Sequence, residues 1–439
     1  MIHVISSGKD HIWQTQKACP LTSDEQGPNL IVSQQRGRAI EGFGGCFNEL
    51  GMIALASLKP EQREAIFDQL FAPDGECQLT LGRLPIGASD YAKSWYSYNE
   101  HEDDYSMAHF SIERDRRWLM PYVQAALARQ PKMTLFASPW SPPTWLKTHQ
   151  AYNFGRLKSD AQTQRAYALY FQKYIEAYQQ EGITVQQIHV QNEVAADQKF
   201  PSCVWSGEQL RIFIRDYLGP LFAAENIDSE IWLGTINAPN FMEEVGQDYD
   251  DYAGYVLNDR EAYQYIKGVG YQWAGKNAIQ RTTMSYPELR YYQTENECGD
   301  GENSWPYAHY VFSLFRHYLV NGVNGYCYWN MVLPKGGEST WGWRQNSMIS
   351  VDMENQQVMI NPEYHVMRHF SHFIKPGARY VPLSGHLSGN AVAFCNPDGS
   401  LVLNLNNPYN EPRLLDLELD SHRYQYQLPP CSITSVVTE

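Results

Sequence analysis

The chain alternates short apolar runs with longer amphipathic stretches over most of its 439 residues. Short apolar runs indicate buried strands, and amphipathic stretches indicate the helices that cover them. Eight runs have this character: residues 39–46, 78–84, 133–138, 186–191, 231–236, 266–271, 290–294 and 325–331. Because regular strand–helix alternation is typical of parallel sheets, the pattern restricts the chain to an α/β architecture.

Start signals for helices lie between several of these runs. Ser206 with Gln209, and Ser159 with Gln162, have the spacing of a capping box, in which two side chains satisfy free N–H groups of the first turn. Pro306 suits the first turn of a further helix ahead of the eighth run. We therefore expect helices to start at these three places.

Eight strands joined by helices predict a (β/α)8 barrel, the TIM barrel, with residues 36–372 as its span. The alternative is an open, doubly wound sheet. Such a sheet normally has a glycine-rich phosphate loop after its first strand, and Gly42-Phe43-Gly44-Gly45 lacks that spacing. The barrel is therefore the favoured fold.

The two ends of the chain have a different pattern. From about residue 376, short alternating runs are separated by turn residues such as Asn396-Pro397-Asp398-Gly399, which is typical of antiparallel strands. The first 35 residues are similar. We predict a small antiparallel β side domain, sandwich-like, built from residues 1–35 and 373–439.

Charge and composition argue against several functions. The net charge of −15 at pH 7 opposes binding to nucleic acid or to an anionic membrane. No apolar run is long enough to span a membrane, and the first ten residues lack the apolar stretch of a signal peptide, so we expect a cytoplasmic location. The eight cysteines include no Cys-x-x-Cys pair, so neither a zinc site nor a disulfide scaffold is expected.

Two glutamates follow predicted strands. Glu193 comes just after the fourth run and Glu295 just after the seventh. Active sites of such barrels lie at the C-terminal ends of the strands, so both carboxyls should face one cavity. Glycoside hydrolysis needs such a pair: one carboxyl protonates the leaving oxygen, and the other attacks the anomeric carbon or activates water. Aromatic residues, 13% of the chain, suit either a large core or packing against sugar rings.

Seven stretches carry the motifs of a known family. They are Glu41-Gly42-Phe43-Gly44-Gly45-Cys46-Phe47, Arg83-Leu84-Pro85-Ile86-Gly87-Ala88-Ser89-Asp90-Tyr91, Ala137-Ser138-Pro139-Trp140-Ser141-Pro142-Pro143-Thr144-Trp145-Leu146-Lys147, Gln191-Asn192-Glu193, Thr294-Glu295, Tyr328-Trp329-Asn330-Met331-Val332-Leu333 and residues 361–377. In their order along nearly the whole chain, they resemble glycoside hydrolase family 30, the glucosylceramidase-like family of retaining β-glycosidases.

The resemblance implies roles for individual residues. Glu193 is similar to the family's general acid/base, and Glu295 to its nucleophile. Asn192 is similar to the residue that hydrogen-bonds the 2-hydroxyl of the sugar, and three residues resemble those that hold the sugar at the nonreducing end: Asp90, Trp140 and Trp329. The family needs no metal or organic cofactor, and its partner is a carbohydrate β-glycoside.

Other residues near the strand ends are further candidates. Tyr271 and Trp273, at the end of the sixth run, and Trp341, in the loop after the eighth, are expected to contact the substrate. Arg83 fits a role of keeping the nucleophile ionised, because a nearby cation lowers the pKa of a carboxyl. It also fits a structural ion pair beneath the cavity. Asn330 is expected to support the site.

Three departures from the family pattern leave alternatives open. Val194 follows Glu193 where the family usually has proline. Glu297 lies two residues after Glu295 and is a second candidate nucleophile. The stretch Gly270-Tyr271-Gln272-Trp273 differs from the His-containing form of glucosylceramidases, which argues against ceramide lipids as substrates.

We expect a retaining β-glycosidase acting on β-glucosides or β-linked gluco-oligosaccharides, with its two carboxyls ~5 Å apart. An endo- or exo-acting β-1,6-glucanase is the alternative, followed by a β-xylosidase or β-fucosidase. A catalytically silent carbohydrate-binding protein and a metal-dependent hydrolase represent other classes. The oligomeric state is left open.

Overall fold

A computed structural model describes residues 2–17, 19–20, 27–239, 251–420 and 422–438. Its central element is a closed barrel of eight parallel strands, in which each strand pairs with the next and the last pairs with the first. In chain order, the first to eighth barrel strands are Gly42–Cys46, Leu81–Ile86, Thr134–Pro139, Gln187–His189, Glu230–Ile236, Ile266–Gln272, Arg290–Glu295 and Gly325–Asn330. The predicted (β/α)8 barrel is confirmed.

Helices cover the barrel from outside. They are Glu49–Ala56, Pro60–Phe71, Leu119–Arg129, Ala161–Gln180, Gly207–Phe213, Gly219–Ala224, Asp251–Leu257, Arg260–Tyr263, Ile279–Ser285, Trp305–Val320 and Pro362–Ser371. Aromatic and aliphatic side chains fill the layer between helices and strands in one large hydrophobic cluster. Inside the barrel, a smaller cluster of Leu81, Phe136, Trp232, Tyr292 and Cys327 fills the space between the strands.

Two of the three expected helix starts are confirmed. Ser206 and Gln209 form a capping box, and Pro306 lies in the first turn of Trp305–Val320. The start at Ser159 is wrong by one residue. Asp160 is the N-cap of Ala161–Gln180, because its carboxylate accepts a hydrogen bond from the backbone N–H of Thr163 at 2.9 Å.

The side domain consists of two sheets, and each sheet contains strands from both ends of the chain. One sheet has the order Arg379–Val381, Ala391–Cys395, Leu401–Asn407, Ser432–Thr438, Ile2–Gly8, His11–Lys17, and the other has the order Leu383–Ser384, Leu30–Val32, Arg413–Leu419, His422–Leu428, Cys19–Pro20. The predicted side domain built from both chain ends is confirmed. Its exact limits at residues 36 and 372 stay a prediction.

One pairing in the side domain departs from the antiparallel expectation. Leu30–Val32 runs parallel to Arg413–Leu419. Antiparallel neighbours are commonly joined by tight hairpins, whereas these two strands lie at opposite ends of the chain and no hairpin fixes their direction.

A third sheet follows the eighth barrel strand and was not expected from the sequence. It consists of Val332–Pro334, Ile349–Asp352 and Gln357–Ile360. The loop between its first two strands, residues 335–348, reaches the carboxyl end of the barrel, where the backbone N–H of Thr340 donates to the carbonyl of Asp90 over 3.0 Å.

Candidate active site

Two carboxylates lie together at the carboxyl end of the barrel. Glu193, just beyond the fourth strand, is 9% exposed, and Glu295, the last residue of the seventh, is 5% exposed. Both line one cavity of about 430 Å³. The amide nitrogen of Gln272 is 3.3 Å from Glu193 Oε1 and 3.3 Å from Glu295 Oε2, so these oxygens are at most twice that distance apart. This bound is compatible with the ~5 Å spacing of a retaining pair.

The fifth barrel strand fixes the backbone around Glu193. Glu193 has a φ of +52°, in the left-handed region, and its N–H donates to Thr235 Oγ1 at 3.1 Å. The N–H of Val194 donates to the carbonyl of Thr235 at 3.3 Å. A proline at position 194 would have no N–H to donate, so valine gives this turn a hydrogen bond that the usual family residue lacks.

Arg83, on the second barrel strand, is wholly buried beneath the cavity. Its guanidinium donates to Glu295 Oε2 at 2.9 Å, to Asn192 Oδ1 at 2.6 Å and to Ser138 Oγ at 2.8 Å. The indole ring of Trp140 lies 4.7 Å from the guanidinium carbon. A permanently charged group thus contacts one carboxylate and also holds the asparagine that precedes the other.

The two carboxylates have different electrostatic surroundings. Burial, followed by the charge of Glu295, raises the pKa of Glu193 to about 8. Burial raises the pKa of Glu295 as well, but its ion pair with Arg83 and the N–H of Trp273 lower it. Because Glu193 has no such ion pair, it is the carboxyl of the two that holds a proton more strongly.

Gln272 is a central residue that the sequence analysis missed. As the last residue of the sixth strand it is fully buried, and its amide contacts both carboxylates. The sequence had indicated its neighbours Tyr271 and Trp273 instead. Trp273 does line the cavity, and its indole N–H donates to Glu295 Oε1 at 3.1 Å. Tyr271 is a correction: its fully buried side chain donates to Thr282 Oγ1 on a covering helix, because side chains alternate along a strand.

One wall of the cavity carries residues expected to hold the sugar. Asp90, Trp140 and Asn192 line the cavity. Trp329 stacks on Trp140 with ring centroids 5.4 Å apart. Burial, followed by the charge of Glu295, raises the pKa of Asp90 to about 8.

Asp90 is held by a relay of amides. Gln345, which also lines the cavity, donates to Asp90 Oδ2 at 3.4 Å. Asn330 donates to Gln345 Oε1 at 2.9 Å and is itself fully buried. The structure therefore places Asn330 behind the cavity, where the sequence analysis expected a supporting residue, and adds Gln345, which no motif indicated.

Aromatic side chains surround the mouth of the cavity. Phe200 lies 5.7 Å from Trp341, Trp341 lies 5.5 Å from Trp343, and Trp343 lies 5.9 Å from Trp273, all between ring centroids. Trp341 was a predicted contact, whereas Phe200 was not. Two amides, Gln198 and Asn237, line the same cavity and were also missed. The loops that carry Gln198, Phe200 and Asn237 give no motif in the sequence.

Glu297 lies away from the cavity. Its carboxylate contacts Lys276 Nζ at 2.5 Å and accepts a hydrogen bond from the hydroxyl of Tyr310 at 2.5 Å. It is absent from the residues lining the cavity that holds Glu193 and Glu295. The geometry thus favours Glu295 over Glu297 as the reacting carboxylate.

The described ranges also bear on a metal site and on a membrane span. Among those residues, no three His, Cys, Asp or Glu side chains group as metal ligands would. Within the same ranges, every helix is too short or too polar to span a membrane.

A closed parallel barrel that holds two buried carboxylates and an aromatic cavity at its carboxyl end defines a glycoside hydrolase. The model of the glycosyl hydrolase family 30 TIM-barrel domain matches residues 40–374, and that of the family 30 beta sandwich domain matches residues 377–436. The chain belongs to glycosyl hydrolase family 30, as the motifs indicated.

Individual relatives extend over nearly the whole chain. Putative glucosylceramidase 1 of Caenorhabditis elegans is 30% identical over 92% of this chain and 82% of its own length. Endo-1,6-beta-D-glucanase neg1 of Aspergillus fumigatus is 27% identical over 98% of this chain and 88% of its own length. The crystal structure of SrfJ from Salmonella typhimurium superimposes with a TM-score of 0.89 and 25% identity, covering 100% of both chains.

Proposed function

We propose that this protein hydrolyses β-glucosides or β-linked gluco-oligosaccharides by double displacement, with retention of configuration. Glu193 protonates the glycosidic oxygen while Glu295 attacks the anomeric carbon and forms a covalent glycosyl-enzyme. Glu193 then takes a proton from the water that releases the sugar. Family membership and the cavity's two carboxylates support this mechanism.

The observation that carries the proposal is the unequal environment of the two carboxylates. Arg83 contacts Glu295, which favours the ionised form that a nucleophile needs. Glu193 lacks a direct cation contact among the described residues and has a pKa raised to about 8, which favours the protonated form that a general acid needs. Two carboxyls whose pKa values are separated by their surroundings are typical of an acid and nucleophile pair.

We propose that the sugar lies against the wall formed by Asp90, Trp140 and Asn192. Asp90 would bind sugar hydroxyls, and the face of Trp140 would pack on the apolar face of the ring. Asn192 is held by Arg83 next to both carboxylates, which suits a hydrogen bond to the 2-hydroxyl.

The mouth of the cavity suits an aglycone that is itself a sugar. It combines aromatic faces, such as Trp343, with the amides of Gln198 and Asn237. Sugars offer both apolar C–H faces and hydroxyl groups, so such a mixed lining can bind them. A β-1,6-glucanase is the second candidate, because the Aspergillus fumigatus relative that matches 98% of this chain carries that name.

A panel of nitrophenyl β- and α-glycosides, together with β-1,6-, β-1,4- and β-1,3-linked glucose disaccharides, tests the proposal. We expect hydrolysis of a β-glucoside by the wild type and its loss in Glu193→Ala and Glu295→Ala. A catalytically silent binding protein would hydrolyse nothing on the panel, and its sugar affinity would be indifferent to Glu295→Gln. Preference for the β-1,6 disaccharide would select the second candidate.

A further inference from the structure

We infer that Gln272 is a positioning residue that holds the acid and the nucleophile at their working distance and sets how they share a proton. The inference rests on the proposed function, in which Glu193 and Glu295 have those two roles. It depends on the contacts of one amide group that is wholly buried at the end of the sixth strand.

The orientation of the amide follows from its neighbours. Gln272 Oε1 accepts from Thr294 Oγ1 at 2.8 Å and from Arg83 Nη1 at 3.3 Å. A guanidinium has only donors, so the amide oxygen must face it. In the reversed amide, the N–H groups would face the guanidinium, which has only donors, and the oxygen would face two carboxylates, which have only acceptors. Thus the nitrogen faces Glu193 and Glu295.

The amide nitrogen has more acceptors than hydrogens. Its two N–H bonds face Glu193 Oε1 at 3.3 Å, Glu295 Oε2 at 3.3 Å and Asn192 Oδ1 at 3.2 Å. Asn192 already receives a shorter hydrogen bond from Arg83 at 2.6 Å, so both N–H groups are free to serve the carboxylates. One fixed amide group can thus contact the proposed acid and the proposed nucleophile at the same time.

A shift in strand register places the amide there. Tyr271 pairs with Gln293, but the next residue, Gln272, pairs with Glu295, so one residue of the seventh strand is passed over. This irregularity sets Gln272 directly beside Glu295. Its side chain then points into the barrel, while that of Tyr271 points out to the helices.

A neutral amide has a specific chemical advantage at this position. It donates to both carboxylates without adding charge, so Glu193 can keep its proton while Glu295 stays close. The other titratable or charged groups that interact with the pair come from several strands, helices and loops: Cys46, Arg83, Asp90, Tyr91, Cys298 and Tyr318. Of these, Arg83 supplies the positive charge, and Asp90 adds to the negative field at Glu193.

The test compares the pH dependence of kcat/KM for the wild type, Gln272→Met and Gln272→Glu. Loss of the N–H donors raises the pKa of both carboxyls, so both limbs of the bell-shaped profile should move to higher pH by at least about 0.5 unit. We also expect kcat to fall about 100-fold in Gln272→Met with little change in KM, because positioning acts on the chemical step. Gln272→Glu keeps the size of the side chain but adds a third buried carboxyl beside the pair, so its limbs should move further to higher pH than those of Gln272→Met.

A buried glutamine outside the cavity lining provides the control. Gln164 donates to the carbonyl of Lys158 at 2.7 Å, and Gln164→Leu removes that bond without touching the cavity. Its pH limbs should match those of the wild type. If Gln272→Met or Gln272→Glu folds and its kcat/KM is lower by the same factor at every pH, so that both limbs stay at their wild-type pH, the inference is wrong.

A second readout does not require activity. Carboxyl titration by NMR of protein labelled with ¹³C at the glutamate side chains, assigned with Glu193→Gln and Glu295→Gln, should show the same upward displacement in the Gln272 variants. Should the wild type hydrolyse no glycoside while these titrations still shift, the proposed function fails and the role of Gln272 in the carboxyl pair stands. If the wild type is active and the carboxyl titrations of the Gln272 variants are unshifted, the inference is rejected and the proposed function stands.

Discussion

Arg83 Nη1 donates to Glu295 Oε2 over 2.9 Å, and the two side chains are 0% and 7% exposed. A buried ion pair of this kind stabilises a fold little relative to apolar packing, but removing one partner leaves a buried charge uncompensated. The contact therefore joins the stability of the barrel to the ionisation of the proposed nucleophile.

Replacing Arg83 by methionine should damage both properties. We expect the free energy of unfolding at pH 7 to fall by about 3–5 kcal/mol, and kcat/KM to fall ~10³-fold, because the pKa of Glu295 rises without the guanidinium. Urea unfolding and steady-state kinetics measure the two effects. Arg63→Met, which removes the exposed pair with Glu64, is the control and should cost less than about 1 kcal/mol. Equal effects of the two substitutions would contradict the account.

The alkaline limb of activity should belong to Glu193. The general acid must be protonated, and burial with the charge of Glu295 raises the pKa of Glu193 to about 8. Therefore kcat/KM should fall as the pH rises through about 8. The limb should weaken for a substrate whose leaving group needs no protonation, such as dinitrophenolate, because formation of the glycosyl-enzyme then bypasses the acid. An alkaline limb identical for both substrates would assign it to another group.

The same carboxyl should make the protein less stable at alkaline pH. A folded-state pKa above the unfolded value means that the native protein binds the proton more tightly, so the contribution of Glu193 to stability is fully present below about pH 4.5 and is lost as the pH rises through about 8. Glu193→Gln removes this titration. Its Tm, compared with that of the wild type by calorimetry, should gain most above pH 8 and least near pH 5. A gain that is independent of pH would show that burial of Glu193 is not the cause.

The sequence predicted the parts of the site that strand ends determine. Glu193 and Glu295 follow apolar runs, and the C-terminal ends of parallel strands converge on one face, so their meeting could be expected. Asp90 was indicated only by the resemblance of its motif to the family. Tyr271 was wrong because the choice between two adjacent residues depends on which face of the strand each occupies. The register shift that brings Gln272 beside Glu295 has no signal in the apolar pattern.

Residues contributed by loops were harder to predict. Gln345 reaches Asp90 because the loop after the eighth strand folds back across the barrel, a path fixed by contacts such as Thr340 with Asp90. Phe200 and Asn237 lie on loops without regular spacing, and their approach to the cavity depends on tertiary packing. The overall fold was easier, because hydrophobic periodicity alone indicates strands and helices.

Asp90 should affect binding of the sugar in both the ground state and the transition state. Asp90→Ala removes the acceptor that the Gln345–Asn330 relay holds in place, and we expect kcat/KM to fall by about 100-fold through lost hydrogen bonds to hydroxyls. Steady-state kinetics on the best β-glucoside measures the loss. Asp68→Ala, which removes a surface partner of Arg129, should leave kcat/KM unchanged. Activity of Asp90→Ala within threefold of the wild type would exclude a contact with the sugar.

Trapping the covalent intermediate tests the central claim most directly. A 2-deoxy-2-fluoro-β-glucosyl fluoride should inactivate the enzyme, and mass spectrometry of the digested protein should find the sugar attached to Glu295. The Glu297→Gln variant should be labelled at the same residue, and Glu295→Gln should not be labelled. NMR of a wild-type reaction should show the β-anomer of glucose as the first product. A label on Glu297, or the α-anomer as the first product, would contradict the double-displacement mechanism built on Glu193 and Glu295.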